Sequence, residues 1–314
     1  MRVCSLAALA VGVSLSTWPA QGALAQETAT RALARDWFDI DGRTRTYSVY
    51  VPPMPPPSPS VLLVLHASGD DGDRIRALTA GLAEEEADRL GFVVVYPDGV
   101  DRTWNGCRRS APYHANREDV DDVRFLRSIV NRLVDSHGVD ASRVWAFGFS
   151  NGGHLALRLA LEAPDDFSAV AAIAASLPNE EEMDCAPAGR PVSVMIVNGT
   201  ADPVSPFEGG EVRTEASGGL GLVRSSFEAA RYFADLIEAS SEPALTLASS
   251  SEGSRVEIAR WSGGEGHEVV LVTVHEGGHT IPGSPADFPP ELGAVDRGFD
   301  ALAAAIEFFG RVTD

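Results

Sequence analysis

The alternation of apolar and polar residues along the chain predicts its strands. Residues 43–51, RTRTYSVYV, alternate in character, which is typical of a strand with one solvated face, and Asp41-Gly42 before them predicts a hairpin turn. Residues 255–262 and 268–276 predict a hairpin or a final strand pair near the end of the chain. Four other segments are continuous apolar runs, as expected of strands covered by helices on both faces. These runs are VLLVLH (61–66), GFVVVYP (91–97), SAVAAIAAS (168–176) and VSVMIVNG (192–199).

Apolar residues at helical spacing lie between these runs. We expect one helix over residues 73–90 with Glu84 to Glu86 on its solvated face, a second over 123–134, and a last one from about 295 to 312. Because helices alternate with strands, the predicted fold class is α/β, with a mostly parallel, doubly wound sheet and antiparallel N-terminal strands. About fifteen residues connect the third and fourth apolar runs, too few for a helical insertion, so we expect no large lid.

Residues 144–153, VWAFGFSNGG, predict a buried strand, a sharp turn and a helix that ends before Pro164. Glycines at 148 and 152 remove the Cβ atoms that would block so tight a turn, and the turn raises the Ser150 hydroxyl above the sheet. This arrangement is typical of a nucleophile elbow. The alternative is a serine that only caps the helix.

A serine nucleophile needs a base, and the base needs a carboxylate that orients it. In sheets of this kind the three groups follow in the order serine, acid, histidine. Asp202 lies in NGTADP directly after an apolar run, and His279 lies in the glycine-flanked loop EGGHTIPG. His275 and His267 are less well placed, within and before the preceding strand. We therefore predict Ser150, Asp202 and His279 as the catalytic residues; a plain turn aspartate and a surface histidine are the alternatives.

The oxyanion that forms during acyl transfer needs two hydrogen-bond donors. One is expected from the backbone amide of Asn151, which follows the nucleophile. The other is expected from the loop after the 61–66 strand, where we assign the Ser68 amide, with Gly69 as the next choice. No metal and no organic cofactor is required for this chemistry.

Composition and charge narrow the compartment and the partners. Residues 1–25 have the basic start, short apolar run and A-x-A site of a signal peptide, with cleavage expected near Ala25. Residues 26–314 are then expected to form a single catalytic domain. The protein should be secreted, to the periplasm or to the outside of the cell. The apolar run is too short to span a bilayer, so no stable membrane association is expected. A net charge of −20 disfavours binding to nucleic acid. In an oxidising compartment Cys107 and Cys185 are candidates for a disulfide, the alternative being two buried thiols.

Segments along most of the chain resemble the secreted polyhydroxybutyrate depolymerase and feruloyl esterase family, which includes LpqC-like esterases. They are RTYSVYVP, VLLVLH, VVVYPDG, TWN, DDVRFL, RVWAFGFSNGG, NGTADPVSPFEGG and GGHTIPGS. The resemblance implies an α/β-hydrolase fold, the triad predicted above and an ester substrate. Two positions depart from the family: Ala67-Ser68 stands where Gly-Cys is usual, and Ile281 stands where Trp is usual.

The departure at Ile281 affects the expected substrate site. We predict Trp104, Asn105 and Ile281 as substrate-binding residues. Loss of an indole at Ile281 would remove a wall for the acyl group, and Trp104 and Asn105 are candidates to line the cleft instead, although Trp104 could equally be part of the core. We expect a serine esterase of polyhydroxybutyrate-depolymerase type, acting on a hydroxyalkanoate oligomer or on an aromatic or acetyl ester. The alternatives are a feruloyl or acetylxylan esterase of plant cell walls, a serine peptidase, and a non-catalytic secreted binding protein on the same scaffold.

Overall fold

A ten-stranded sheet organises the part of the chain that the structure describes. The structure is a computed structural model, and it describes residues 31–214, 218–249 and 255–313; the predicted signal peptide lies outside these residues. The strands are β1 (Ala34–Ile40), β2 (Arg43–Tyr50), β3 (Val61–Leu65), β4 (Val93–Pro97), β5 (Val144–Phe149), β6 (Ala169–Ile173), β7 (Ser193–Gly199), β8 (Gly210–Thr214), β9 (Gly218–Val223), β10 (Ala244–Ser249), β11 (Arg255–Ser262) and β12 (Glu268–Val274).

Seven α-helices connect or cover these strands within the described residues. They are α1 (Gly72–Leu78), α2 (Leu82–Leu90), α3 (His114–Arg117), α4 (Asp122–His137), α5 (Asn151–Glu162), α6 (Ser226–Leu236) and α7 (Ala301–Thr313). None of them combines the length and the apolarity that a membrane-spanning helix needs. Short 3₁₀ turns at Gly264–Gly266 and Pro290–Leu292 complete the set.

The sheet order is β1-β2-β4-β3-β5-β6-β7-β12-β11-β10. All neighbours from β4 to β12 are parallel, while β1 and β2 at one edge are antiparallel. The predicted mostly parallel sheet with antiparallel N-terminal strands is therefore confirmed. Every residue of β3 to β7 is buried, because helices cover both faces and leave two apolar layers, one on each side of the sheet.

The second edge of the sheet is also antiparallel. Strands β11 and β12 pair as expected, and β10, which the sequence pattern did not predict, adds to the outer side of β11. A separate two-stranded hairpin, β8–β9, lies between β7 and α6. This hairpin was missed as well, because its strands are short and rich in glycine.

Two helix predictions need correction. Residues 73–90 form two helices, because Ala80 and Gly81 have positive φ angles of 51° and 71° that no continuous helix tolerates. The break turns Glu84 inward: it is fully buried, pairs with Arg76 and accepts a hydrogen bond of 2.8 Å from the Tyr96 hydroxyl, so it is not on a solvated face.

The last helix begins later than predicted. It starts at Ala301, where the Asp300 carboxylate accepts a bond of 2.9 Å from the Ala303 amide. The residues before it are held in a turn by Asp296, whose Oδ1 accepts bonds from the amides of Gly298 and Phe299. Asp296 therefore holds the turn and Asp300 caps the start of the helix. The spacing of apolar residues alone cannot detect either boundary.

Candidate active site

The turn between β5 and α5 holds Ser150 in a strained conformation. Its φ and ψ angles of 53° and −114° lie outside the regions that non-glycine residues normally occupy. Its amide donates a bond of 2.8 Å to the Ile173 carbonyl at the end of β6, which fixes the turn against the sheet. A Cβ on Gly148 would collide with the Gly152 carbonyl, and one on Gly152 would collide with the Leu65 carbonyl. Both glycines are therefore required for this geometry.

The structure brings Ser150, Asp202 and His279 together in one hydrogen-bonded chain. The Ser150 Oγ and His279 Nε2 atoms are 2.8 Å apart, and His279 Nδ1 and Asp202 Oδ2 are also 2.8 Å apart. Asp202 follows β7 and His279 follows β12, and these strands are parallel neighbours, so their carboxyl ends meet at the same edge of the sheet. The three side chains come from distant parts of the sequence and still form one site.

The Asp202 carboxylate is held by more than the histidine. Its Oδ1 atom accepts bonds of 2.7 and 2.8 Å from the backbone amides of Val204 and Ser205, and the residue is 8% exposed. His279 is 5% exposed. Because Oδ1 is bound to two amides, Oδ2 is the oxygen left for His279 Nδ1, and the orientation of the imidazole is fixed.

The predicted oxyanion donors are the backbone amides of Asn151 and Ser68. Asn151 is the first residue of α5, and the first N–H groups of a helix have no partner within it. The Ser68 amide has no hydrogen-bond partner among the described residues, and Ser68 lines the cavity beside Ser150. The nucleophile turn and the loop after β3 thus each carry a backbone amide without a partner among the described residues.

Trp104 connects these two loops instead of lining the cleft. It is fully buried, and its backbone N–H and C=O bond to the Asn151 side chain at 2.7 and 3.0 Å. Its indole N–H donates a bond of 3.0 Å to the carbonyl of His66, two residues before Ser68. The predicted role in the cleft wall is therefore wrong, because the indole is needed inside to hold the loop after β3.

His66 stabilises the same loop from within. Its Nε2 atom accepts a bond of 2.9 Å from the Gly99 amide, so Nδ1 carries the proton and donates to the Ala67 carbonyl at 2.7 Å. Burial lowers the pKa of His66, which favours this neutral form.

Asn105 and Ile281 do not line the cleft either. The Asn105 side chain donates to Asp119 and to the Val120 carbonyl, away from Ser150. Ile281 is 1% exposed and borders a different cavity, near α1 and α2. Both were predicted as substrate-binding residues, and that prediction is wrong, because neither lines the cavity that contains Ser150.

A cavity of about 280 Å³ opens beside Ser150 and His279. Its wall includes the hairpin residues Val212, Thr214 and Leu220, none of which the sequence pattern indicated. The remaining wall residues come from the loops at the carboxyl edge of the sheet and from α1 and α5. They are Ala67, Ser68, Asp70, Arg74, Leu78, Arg108, Tyr113, Phe149, His154, Val204, Phe288, Pro289 and Leu292.

Cys107 and Cys185 are joined by a disulfide in the structure, with their Cα atoms 5.2 Å apart. It ties the loop that follows Trp104 to the segment between β6 and β7. Glu162 lies close enough to the two sulfurs to suggest a metal group, but the sulfurs are bonded to each other and offer no thiolate ligand. The disulfide therefore stabilises one side of the cavity.

The sheet topology and the strand-turn-helix at Ser150 define the chain as an α/β-hydrolase. Residues 40–205 match the sequence model of a family described as "Putative esterase". The chain belongs to this esterase family, and it is a carboxylic ester hydrolase.

The relatives agree with that family. "Putative esterase NocK" from Nocardia uniformis is 33% identical over 282 residues, which cover 86% of this chain and 80% of that protein. "Feruloyl esterase B" from Thermothelomyces thermophilus is 31% identical over 132 residues, 38% of this chain and 40% of that protein. Among solved structures, the acetyl xylan esterase from Aspergillus awamori has the same fold with a TM-score of 0.59 at 15% identity, covering 88% of this chain and 99% of that one.

Proposed function

We propose that this protein is a serine esterase that cleaves small carboxylic esters by two-step acyl transfer. The observation that carries the proposal is the continuous chain from Ser150 Oγ through His279 to Asp202, with both links at 2.8 Å, at the edge of a cavity. In this geometry the histidine is within reach of the serine proton, and the carboxylate holds the tautomer that accepts it.

Acylation begins when Ser150 Oγ attacks the ester carbonyl carbon while its proton moves to His279 Nε2. The carbonyl oxygen becomes an oxyanion and accepts hydrogen bonds from the amides of Asn151 and Ser68. The carbon–oxygen bond to the alcohol then breaks, and the proton on Nε2 passes to the departing alkoxide. Water attacks the acyl-serine by the reverse sequence, and the acid is released with Ser150 restored.

A fluorophosphonate probe and a Ser150→Ala variant test this assignment. We expect covalent labelling at Ser150 in the wild type, no labelling in the variant, and a loss of ester hydrolysis of at least about 10³-fold with little change in thermal stability. Hydrolysis by the variant at a wild-type rate would refute the triad. A wild type that neither reacts with the probe nor hydrolyses esters would instead favour a binding protein.

There are two candidate substrate classes. We propose a hydroxyalkanoate oligomer as the first, on the family resemblance of the sequence, and a feruloyl or acetylxylan ester as the second. The second candidate is favoured by the relatives, since several are described as feruloyl esterases and one as an acetylxylan esterase with a xylanase. They match this chain over part of their length, so the substrate does not follow from them alone.

Acid release from a soluble 3-hydroxybutyrate oligomer and from methyl ferulate, measured side by side with a Ser150→Ala blank, separates the candidates. Release from the oligomer alone would support the first, and release from ferulate alone would support the second.

We also propose that the protein is secreted after cleavage near Ala25. The N-terminal residue of the exported protein tests this, and an intact Met1 would contradict it.

A further inference from the structure

An arginine side chain is buried in the wall of the cavity beside Ser150. Arg108 is 2% exposed, and its Nε and Nη1 atoms have no hydrogen-bond partner among the described residues. Much of the neighbouring wall is apolar, formed by Val212 and Leu220 of the hairpin. A guanidinium in such a position normally pairs with a carboxylate, because burying an unpaired charge is costly.

No described carboxylate forms an ion pair with Arg108. The acid whose charge acts on Arg108 is Glu182, and its oxygens accept bonds of 2.8 Å from the Ser110 amide and hydroxyl. Burial lowers the pKa of Arg108, against a smaller opposite effect of the neighbouring Tyr113 hydroxyl, and an arginine nevertheless remains cationic in proteins. The cavity wall therefore holds a positive charge whose partner the described part of the chain does not supply.

The other ionisable groups of the wall do not offset this charge. Asp70 is accompanied by Arg74 and Arg102, whose charges lower its pKa against the larger effect of burial. His154 is buried, and desolvation together with the Arg108 charge holds its pKa well below the usual range, so it is neutral. An anion that enters the cavity would thus lie beside a buried guanidinium whose charge no described carboxylate pairs with.

The backbone of Arg108 is held in place. It follows Cys107 of the disulfide, forms an antiparallel bridge with Met183, and its carbonyl accepts bonds of 3.1 Å from the Asn116 side chain and the Ala111 amide. A donor fixed in this way loses little entropy when it binds an anion, which is the usual condition for selective recognition.

We propose that Arg108 is a specificity residue that binds a carboxylate of the substrate, so that the preferred substrates are esters carrying a second, free carboxylate group. The proposal rests on the proposed function, since the carboxylate would be held while Ser150 attacks the ester carbonyl of the same molecule. Pairing with a carboxylate would neutralise the buried guanidinium.

A matched pair of substrates tests the proposal: the mono-4-nitrophenyl ester of glutaric acid, which has a free carboxylate, and its methyl ester, which is neutral. We expect the wild type to prefer the charged ester by at least about 10-fold in kcat/KM, and Arg108→Met to lose about 10- to 100-fold on the charged ester, mainly through KM, with little effect on the neutral one. Arg108→Lys should recover part of the preference.

Arg109→Gln is the matched control. It removes the same charge one residue away, from a side chain that is 61% exposed and paired with Asp184. We expect both esters to be cleaved at close to wild-type rates by this variant. An equal loss on both esters in Arg108→Met, a similar loss in Arg109→Gln, or a wild type without preference would overturn the proposal.

Binding can be measured without catalysis. In calorimetry, the Ser150→Ala variant should bind glutarate and should not bind 1,5-pentanediol. The double variant that also carries Arg108→Met should bind glutarate at least about 10-fold more weakly. Equal binding of glutarate to both proteins would also overturn the proposal. Hydrolysis of the neutral ester, and its loss in Ser150→Ala, reports on the proposed function alone, so the two failures are distinguishable.

Discussion

Replacing Asp202 by Asn would change the proton position on His279 without changing the shape of the site. Two backbone amides, those of Val204 and Ser205, bind Oδ1 at 2.7 and 2.8 Å, and an amide oxygen can accept the same two bonds. The NH₂ group of the new side chain must then face His279 Nδ1, where Oδ2 lies 2.8 Å away in the wild type. Since NH₂ only donates, Nδ1 becomes the acceptor and Nε2 carries the proton.

An imidazole with its proton on Nε2 cannot take the proton of Ser150. In serine proteases the wrong tautomer costs about 10⁴ in kcat, which corresponds to about 5.5 kcal/mol at 1.36 kcal/mol per factor of ten. We expect a loss of this size for Asp202→Asn in steady-state hydrolysis of a neutral 4-nitrophenyl ester. KM should change little, because Asp202 does not line the cavity.

Asp296→Asn is the control for this prediction. Asp296 has the same local geometry, with Oδ1 accepting bonds of 2.8 and 3.0 Å from two backbone amides, but no histidine on its other oxygen. We expect this variant to keep kcat within about two-fold. Both variants should keep their melting temperatures within a few degrees, because the capping bonds survive. A kcat above a tenth of the wild-type value in Asp202→Asn would show that the tautomer of His279 does not control the rate.

Three further variants test the framework around the site. Trp104→Phe removes the indole N–H that holds the loop after β3. We expect the free energy of unfolding in urea to fall by about 1–3 kcal/mol and kcat to fall with little change in KM. An unchanged kcat would show that Trp104 does not position the oxyanion donors. Cys185→Ser removes the disulfide between residues 78 positions apart and should lower the free energy of unfolding by about 4 kcal/mol in the same assay. A reductant should have the same effect on the wild type and no further effect on the variant. Asp122→Ala leaves the buried guanidinium of Arg45 without its carboxylate and should lower the free energy of unfolding by about 3–5 kcal/mol. Arg124→Gln, at an exposed ion pair, should lower it by less than about 1 kcal/mol, and equal losses would show that burial does not matter.

The parts of the molecule that are encoded locally could be predicted from the sequence. The buried strands are continuous apolar runs, and the turn at Ser150 depends on Gly148 and Gly152, which lie within the same ten residues. Asp202 and His279 were predictable because each follows an apolar strand, and parallel strands place such residues at a common edge. These predictions needed only the periodicity of the chain and the geometry of a parallel sheet.

The helix break at Ala80 and Gly81 and the burial of Glu84 were not predictable in the same way. A run of glutamates at the surface of a helix has the same composition as a helix with one buried glutamate. The difference depends on Tyr96 and Arg76, which reach Glu84 from a strand and from the preceding helix. Partners that come from other elements leave no periodic signal in the segment itself.

The cavity wall shows the same limit with consequences for specificity. The sequence predicted Trp104, Asn105 and Ile281 as substrate-binding residues. Trp104 and Ile281 are buried instead, and the Asn105 side chain binds Asp119 and the Val120 carbonyl. The actual wall depends on a glycine-rich hairpin and on a loop fixed by a disulfide, and together they bury Arg108. In a chain of net charge −20, long-range attraction cannot bring an anionic ester to the site, so selection of such a substrate must come from short-range pairing inside the cavity. The preference for the charged ester should therefore survive at 0.5 M salt in the wild type, and its disappearance there would assign it to surface charge instead of Arg108.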